Sequence, residues 1–104
     1  MELVLTEDIE KGLAVFKDTS NAVLIDVRTQ DEYAEGHIPG SINVPLSSLG
    51  NDIYDVVPEM DAPVFLYCRS GRRSLQAAVT LRELGYDNAT SIGGIVDYKG
   101  NLEM

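Results

Sequence analysis

The 104-residue chain has one cysteine, one histidine and no tryptophan, and these shortages exclude several kinds of protein. A lone cysteine cannot close a disulfide within the chain. A structural zinc site draws on roughly four Cys or His ligands, more than this sequence holds. A free thiol suits a reducing compartment, so the expected localisation is cytoplasmic. Basic residues are also scarce: 8 Lys and Arg stand against 17 Asp and Glu, for a formal charge of −9. Nucleic acid and anionic membrane attract positive surface, so neither is an expected partner. No stretch reaches the length of about 18 apolar residues that a membrane span needs. The first eight residues, MELVLTED, are acidic and lack the basic start of a signal peptide. There is no internal repeat, low-complexity segment or Gly/Ser/Pro-rich linker.

Hydrophobic residues make up 44% of the chain, enough for a core, and the length fits one compact domain over residues 1–104. Short apolar runs alternate with helical patterns. A first strand is expected at residues 3–5. Thr6 is placed to cap a helix over 7–16, with acidic residues in its first turn and Ile9, Leu13 and Phe16 on one stripe. The run Ala22-Val23-Leu24-Ile25-Asp26 reads as a strand buried on both faces. Thr29 and Glu32 form a capping box for a short helix to Glu35, stopped by Gly36. His37-Ile38-Pro39-Gly40 is a turn, residues 41–44 a short strand, and residues 45–58 a weak helical pattern through Leu46, Leu49, Ile53 and Val56. A buried strand follows at 64–67. The clearest helix spans 74–84, with Ala77, Leu81 and Leu84 on its stripe, Leu75 and Val79 widening it, and Gly85 as a left-handed cap. A last strand at 89–92 leads to Gly93-Gly94 and a frayed tail.

This alternation predicts an α/β fold with a parallel sheet covered by helices on both faces. Ligands of such sheets sit beyond the carboxyl ends of the strands. Asp26-Val27-Arg28, Cys68 with its loop, and Gly93-Gly94 lie there.

The most informative stretch is Tyr67-Cys68-Arg69-Ser70-Gly71-Arg72-Arg73-Ser74. A buried strand ends at a cysteine, a short loop follows, and a helix begins. Loop and first-turn N–H groups lack helical partners and can point at an anion near the sulfur. The helix dipole and Arg69, Arg72 and Arg73 add positive potential, so the Cys68 pKa is expected to fall. Gly71 is expected at positive φ, curling the loop around the sulfur. Ser70 and Ser74 can donate hydroxyl hydrogen bonds to a bound oxyanion. A cysteine after an apolar strand is more commonly a small buried hydrophobe, and an arginine run a solvated surface. The combination favours a reactive thiol.

At this point the residues resemble a family. Ile25-Asp26-Val27-Arg28, Glu32-Tyr33, Gly36-His37-Ile38-Pro39-Gly40-Ser41-Ile42-Asn43-Val44-Pro45, the Cys68 loop and Gly93-Gly94 are similar, in order, to the rhodanese homology domain over roughly residues 6–100. The resemblance implies a three-layer α/β/α fold with a five-stranded, mainly parallel sheet. It implies a sulfurtransferase in which Cys68 takes sulfur from a small anionic donor such as thiosulfate, becomes a persulfide, and passes the sulfur to an external thiol or cyanide. Glutathione and thioredoxin are candidate acceptors. It implies no metal and no organic cofactor.

The same resemblance makes Cys68 the nucleophile. Amides from Arg69 to Arg73 cradle the sulfur, and Arg69, Arg72 and above all Arg73 hold the donor. Asp26 and Arg28 then support the loop through an ion pair or hydrogen bonds, and His37 is structural rather than a general base. One departure is visible: the family often carries a tryptophan soon after the paired glycines, where this chain has Ile95 and then Tyr98. Two other readings compete. A phosphatase or arsenate reductase of the same fold places its arginine six positions after the cysteine; here position 74 is serine and Arg73 comes one residue early. A non-catalytic binding or regulatory module usually lacks the cysteine, and Cys68 is present.

Overall fold

The computed structural model describes residues 8–104. The expected strand at 3–5 and the Thr6 cap lie outside those residues. The first helix, α1 (Ile9–Lys17), is capped by Asp8, whose side chain accepts from the Glu10 and Lys11 amides at 3.1 and 3.3 Å. It is followed by β1 (Val23–Asp26), α2 (Gln30–Glu35), β2 (Ile42–Asn43), α3 (Leu49–Val56), β3 (Val64–Cys68), α4 (Arg72–Glu83) and β4 (Ala89–Gly94). Short 3₁₀ turns precede α3 and follow β4.

Among the described residues the sheet has four strands, all parallel, in the order β2-β1-β3-β4. This corrects the five-stranded expectation while keeping its class. The chain leaves β1 outward to β2 and then returns to the other side of β1 for β3. The order reverses between β1 and β3, and a crevice at such a switch point receives ligands in open parallel sheets.

Side chains along a strand alternate between faces, and the core divides accordingly. Ile25, Val27, Val64, Leu66, Cys68 and Ala89 face α3 and α4, where Leu49, Ile53, Ala77, Ala78 and Leu81 complete one cluster. Leu24, Phe65, Tyr67 and Ile92 face α1 and pack against Ile9 and Leu13. Helices thus cover both faces, and the apolar runs of β1 and β3 are buried on each side.

Three expectations need correction. The long helix starts at Arg72, two residues early, because Gly71 adopts φ 101° and its carbonyl already accepts from the Leu75 amide. Val79 is exposed instead of widening the buried stripe. The tail is anchored rather than frayed: the Lys99 amide donates to Glu10, and Glu103 exchanges two 2.8 Å backbone hydrogen bonds with His37. The Thr29–Glu32 capping box and the Gly85 cap, at φ 107°, form as expected.

Candidate functional site

Cys68 is the last residue of β3, beside the switch point. Its side chain is buried, with the residue only 1% exposed, yet its surroundings differ from an apolar core. The Gly71 amide donates to Sγ at 3.0 Å, and Ser74 Oγ lies 3.6 Å away. Burial pushes the thiol pKa up. Hydrogen bonds from the Ser74 amide and hydroxyl and from the Gly71 and Ser70 amides outweigh it, and the pKa lies below the ordinary thiol value. Of the loop amides, that of Gly71 is aimed directly at the sulfur.

The chain reaches this shape through two glycines. Gly71 at φ 101° turns from the loop into α4 and, having no side chain, supplies no cap to its first turn. Gly94 lies beneath the loop. A Cβ there would stand 2.7 Å from Ser70 Cα, closer than backbone tolerates. A bulge brings Gly94 into place: Leu66 pairs with Ser91 but Cys68 with Gly94, so β4 carries one extra residue over this step. The Val96 amide then donates to the Arg69 carbonyl at 3.2 Å, tying the loop to the segment after β4.

The three arginines diverge. Arg69 and Arg72 are exposed at the loop. Arg73, given the main donor-holding role, is engaged elsewhere: its two terminal nitrogens reach the Glu32 carboxylate at 2.7 and 3.0 Å. That pairing raises the Arg73 pKa and lowers that of Glu32 to about 2. Arg72 and Arg73 occupy the first turn of α4, which holds no acidic residue. Cations are disfavoured at that end of a helix. This local conflict is the kind that marks a functional site.

Asp26 and Arg28 form a buried fork. Arg28 Nε lies 3.1 and 3.0 Å from the two Asp26 oxygens and Nη2 reaches one of them at 2.8 Å. The Arg28 amide also donates to Asp26. Arg28 Nη2 further donates to the Gly36 carbonyl at 2.6 Å, and Asn43 Nδ2 donates to the Asp26 and Arg28 carbonyls. The pair clamps the ends of β1, α2 and β2 together. His37 stacks on Tyr33 with ring centroids 3.6 Å apart, its Nδ1 lies 2.9 Å from the Tyr33 carbonyl, and its Nε2 faces Glu103 at 3.8 Å. Neither Asp26, Arg28 nor His37 has a hydrogen bond to Cys68.

Two residues do more than their sequence context shows. Glu32, half of a capping box and part of the Glu32-Tyr33 motif, also binds Arg73 through its carboxylate. Ser91 is wholly buried, with its Oγ 2.7 Å from Ser74 Oγ. Its signal was a hydroxyl two residues after Ala89, on the strand parity that faces the core. Among the described residues no cluster of three or more His, Cys, Asp or Glu is arranged to hold a metal, and no helix is long and apolar enough to cross a membrane.

Comparisons with known proteins point to one family. A sequence profile of the Rhodanese-like domain matches residues 10–101. Thiosulfate sulfurtransferase PspE of Escherichia coli (strain K12) is 40% identical over 73 residues, 70% of this chain and 70% of that protein. A solved rhodanese with anions from E. coli aligns with TM-score 0.74 and 35% identity, covering 79% of this chain and 96% of the other. A human single-domain sulfurtransferase aligns with TM-score 0.76 and 26% identity, covering 94% and 95%.

Proposed function

The chain belongs to the rhodanese-like domain family, and from that premise we propose that it is a sulfurtransferase of the thiosulfate sulfurtransferase type, working through a persulfide on Cys68. The observation that carries this reading is the Gly71 amide 3.0 Å from a buried sulfur at a strand end, with no side chain capping the helix that follows.

The Cys68 thiolate attacks the outer sulfur of thiosulfate. A Cys68 S–S bond forms, the S–S bond of thiosulfate breaks, and sulfite leaves with the electron pair. The loop amides stabilise the negative charge that passes to the terminal sulfur. An acceptor thiolate or cyanide then attacks that sulfur, and Cys68 leaves as thiolate. Two half-reactions through a covalent intermediate predict ping-pong kinetics. Arg69 and Arg72 are the cations for the anionic donor, because Arg73 is already matched by Glu32. In a chain of charge −9 they draw small anions to one place on the surface. With one cysteine in the sequence, the sulfur leaves to an external acceptor such as glutathione or thioredoxin, in a reducing compartment such as the cytosol.

The test is intact mass after exposure to thiosulfate. One added sulfur that a thiol reductant removes, and that Cys68→Ser does not acquire, is the expected result. Equal sulfur transfer by Cys68→Ser and the parent would sink the reading.

A further inference from the structure

Ser91 belongs to no part of the loop, yet it is 0% exposed and its hydroxyl meets a single side chain, that of Ser74, at 2.7 Å. A buried hydroxyl needs an acceptor for its proton, and Ser74 Oγ is the acceptor within reach. That assigns the direction: Ser91 donates and Ser74 accepts.

The consequence falls on Ser74, which is also wholly buried. Its oxygen has one proton and a crowded neighbourhood: Cys68 Sγ at 3.6 Å, the Gly71 carbonyl at 3.1 Å and the Gly93 carbonyl at 3.5 Å. With Ser91 supplying a proton from the β4 side, the proton of Ser74 stays available for the other neighbours. When Cys68 is a neutral thiol, S–H can donate to Ser74 and the Ser74 proton rests on the Gly71 carbonyl. When Cys68 is a thiolate, the Ser74 proton turns to sulfur. Ser91 continues to donate to Ser74 in both states. A hydrogen bond accepted by a hydroxyl strengthens the one it donates.

We propose that Ser91 is a positioning residue for sulfur transfer: through Ser74 it orients a hydroxyl proton onto the Cys68 sulfur and so favours the ionised form. Its role in turnover rests on the sulfurtransferase reading above; its effect on the thiol does not.

The experiment measures the pH midpoint of Cys68 alkylation by iodoacetamide in the full chain, with persulfide formation from thiosulfate followed separately by intact mass. Ser91→Ala raises the midpoint by roughly half a pH unit. Ser91→Thr, which keeps the hydroxyl, returns it toward the parent value, an outcome that lost packing alone does not produce. Ser74→Ala raises the midpoint further, and adding Ser91→Ala to it changes nothing more. A parent midpoint in Ser91→Ala, or an equal additional rise in the double variant, overturns the relay. A parent that takes up no sulfur from thiosulfate overturns the sulfurtransferase reading, while a shifted Ser91→Ala midpoint still upholds the relay.

Discussion

Glu32 and Arg73, 41 positions apart, meet through two hydrogen bonds of 2.7 and 3.0 Å, so the helix that follows β1 holds the helix that follows the Cys68 loop. Glu32 does this while closing its own capping box with Thr29. One carboxylate therefore fixes the start of α2 and neutralises a cation at the start of α4.

This pair gives a pH dependence with a definite sign. The Glu32 pKa is depressed to about 2, chiefly by Arg73. Its contribution to stability is present above the unfolded carboxylate value of about 4.3 and is lost as pH falls through about 2. Both side chains are partly exposed, so solvent screening limits the pair to about 1 kcal/mol. Urea unfolding of the parent and of Glu32→Gln at several pH values checks this: the difference is expected to be largest at neutral pH and to shrink as the solution is acidified.

Cys68 gives a second dependence at higher pH. Its folded pKa is lowered despite burial, which pushes it the other way, because Ser74, Gly71 and Ser70 hydrogen-bond the sulfur. A depressed acid contributes stability that is complete above the unfolded thiol value of about 8.5 and is lost as pH falls through the folded value. The parent is expected to gain stability relative to Cys68→Ser between neutral pH and about 9. Thermal melts of both proteins across that range measure the difference.

Gly94 is the position where the loop tolerates least. A Cβ would stand 2.7 Å from Ser70 Cα and 2.8 Å from the Arg69 carbonyl carbon, and neither backbone atom can yield without moving the amides aimed at Cys68. Gly94→Ala is expected to cost about 2 kcal/mol in denaturant unfolding and to lower sulfur transfer by about tenfold or more. Unchanged activity would show that the loop has another stable seat.

Asp26 is buried with its charge matched by Arg28. Removing one partner leaves the other charge unpaired in a dry site, which costs about 3–5 kcal/mol. Asp26→Ala is expected to show a loss of that size in urea titration. A loss under about 1 kcal/mol would place the pair in effective contact with solvent.

How much of this was legible depended on whether the cause was local. The Thr29–Glu32 box lies within three residues, the Gly85 cap follows directly on α4, and the Val64–Cys68 strand is one apolar run. Each was readable because its hydrogen bonds or periodicity close within a few positions. The start of α4 lies two residues before the position its sequence pattern predicts, because Gly71 at positive φ lets the helix begin on two arginines, against the dipole rule.

The chain alone determined the order of strands and helices and the placing of its only thiol at a strand end before a glycine and three arginines. Those are properties of neighbouring residues, which propensity and capping express without the rest of the molecule. Tertiary structure decided which arginine is already spoken for, which hydroxyl stands behind Ser74, and that Gly94 lies under the loop. The first follows from the packing of α4 against α2, and the other two from the register of β3 and β4, with one extra residue in β4. A displacement of one residue in that register would turn Ser91 to the opposite face of the sheet.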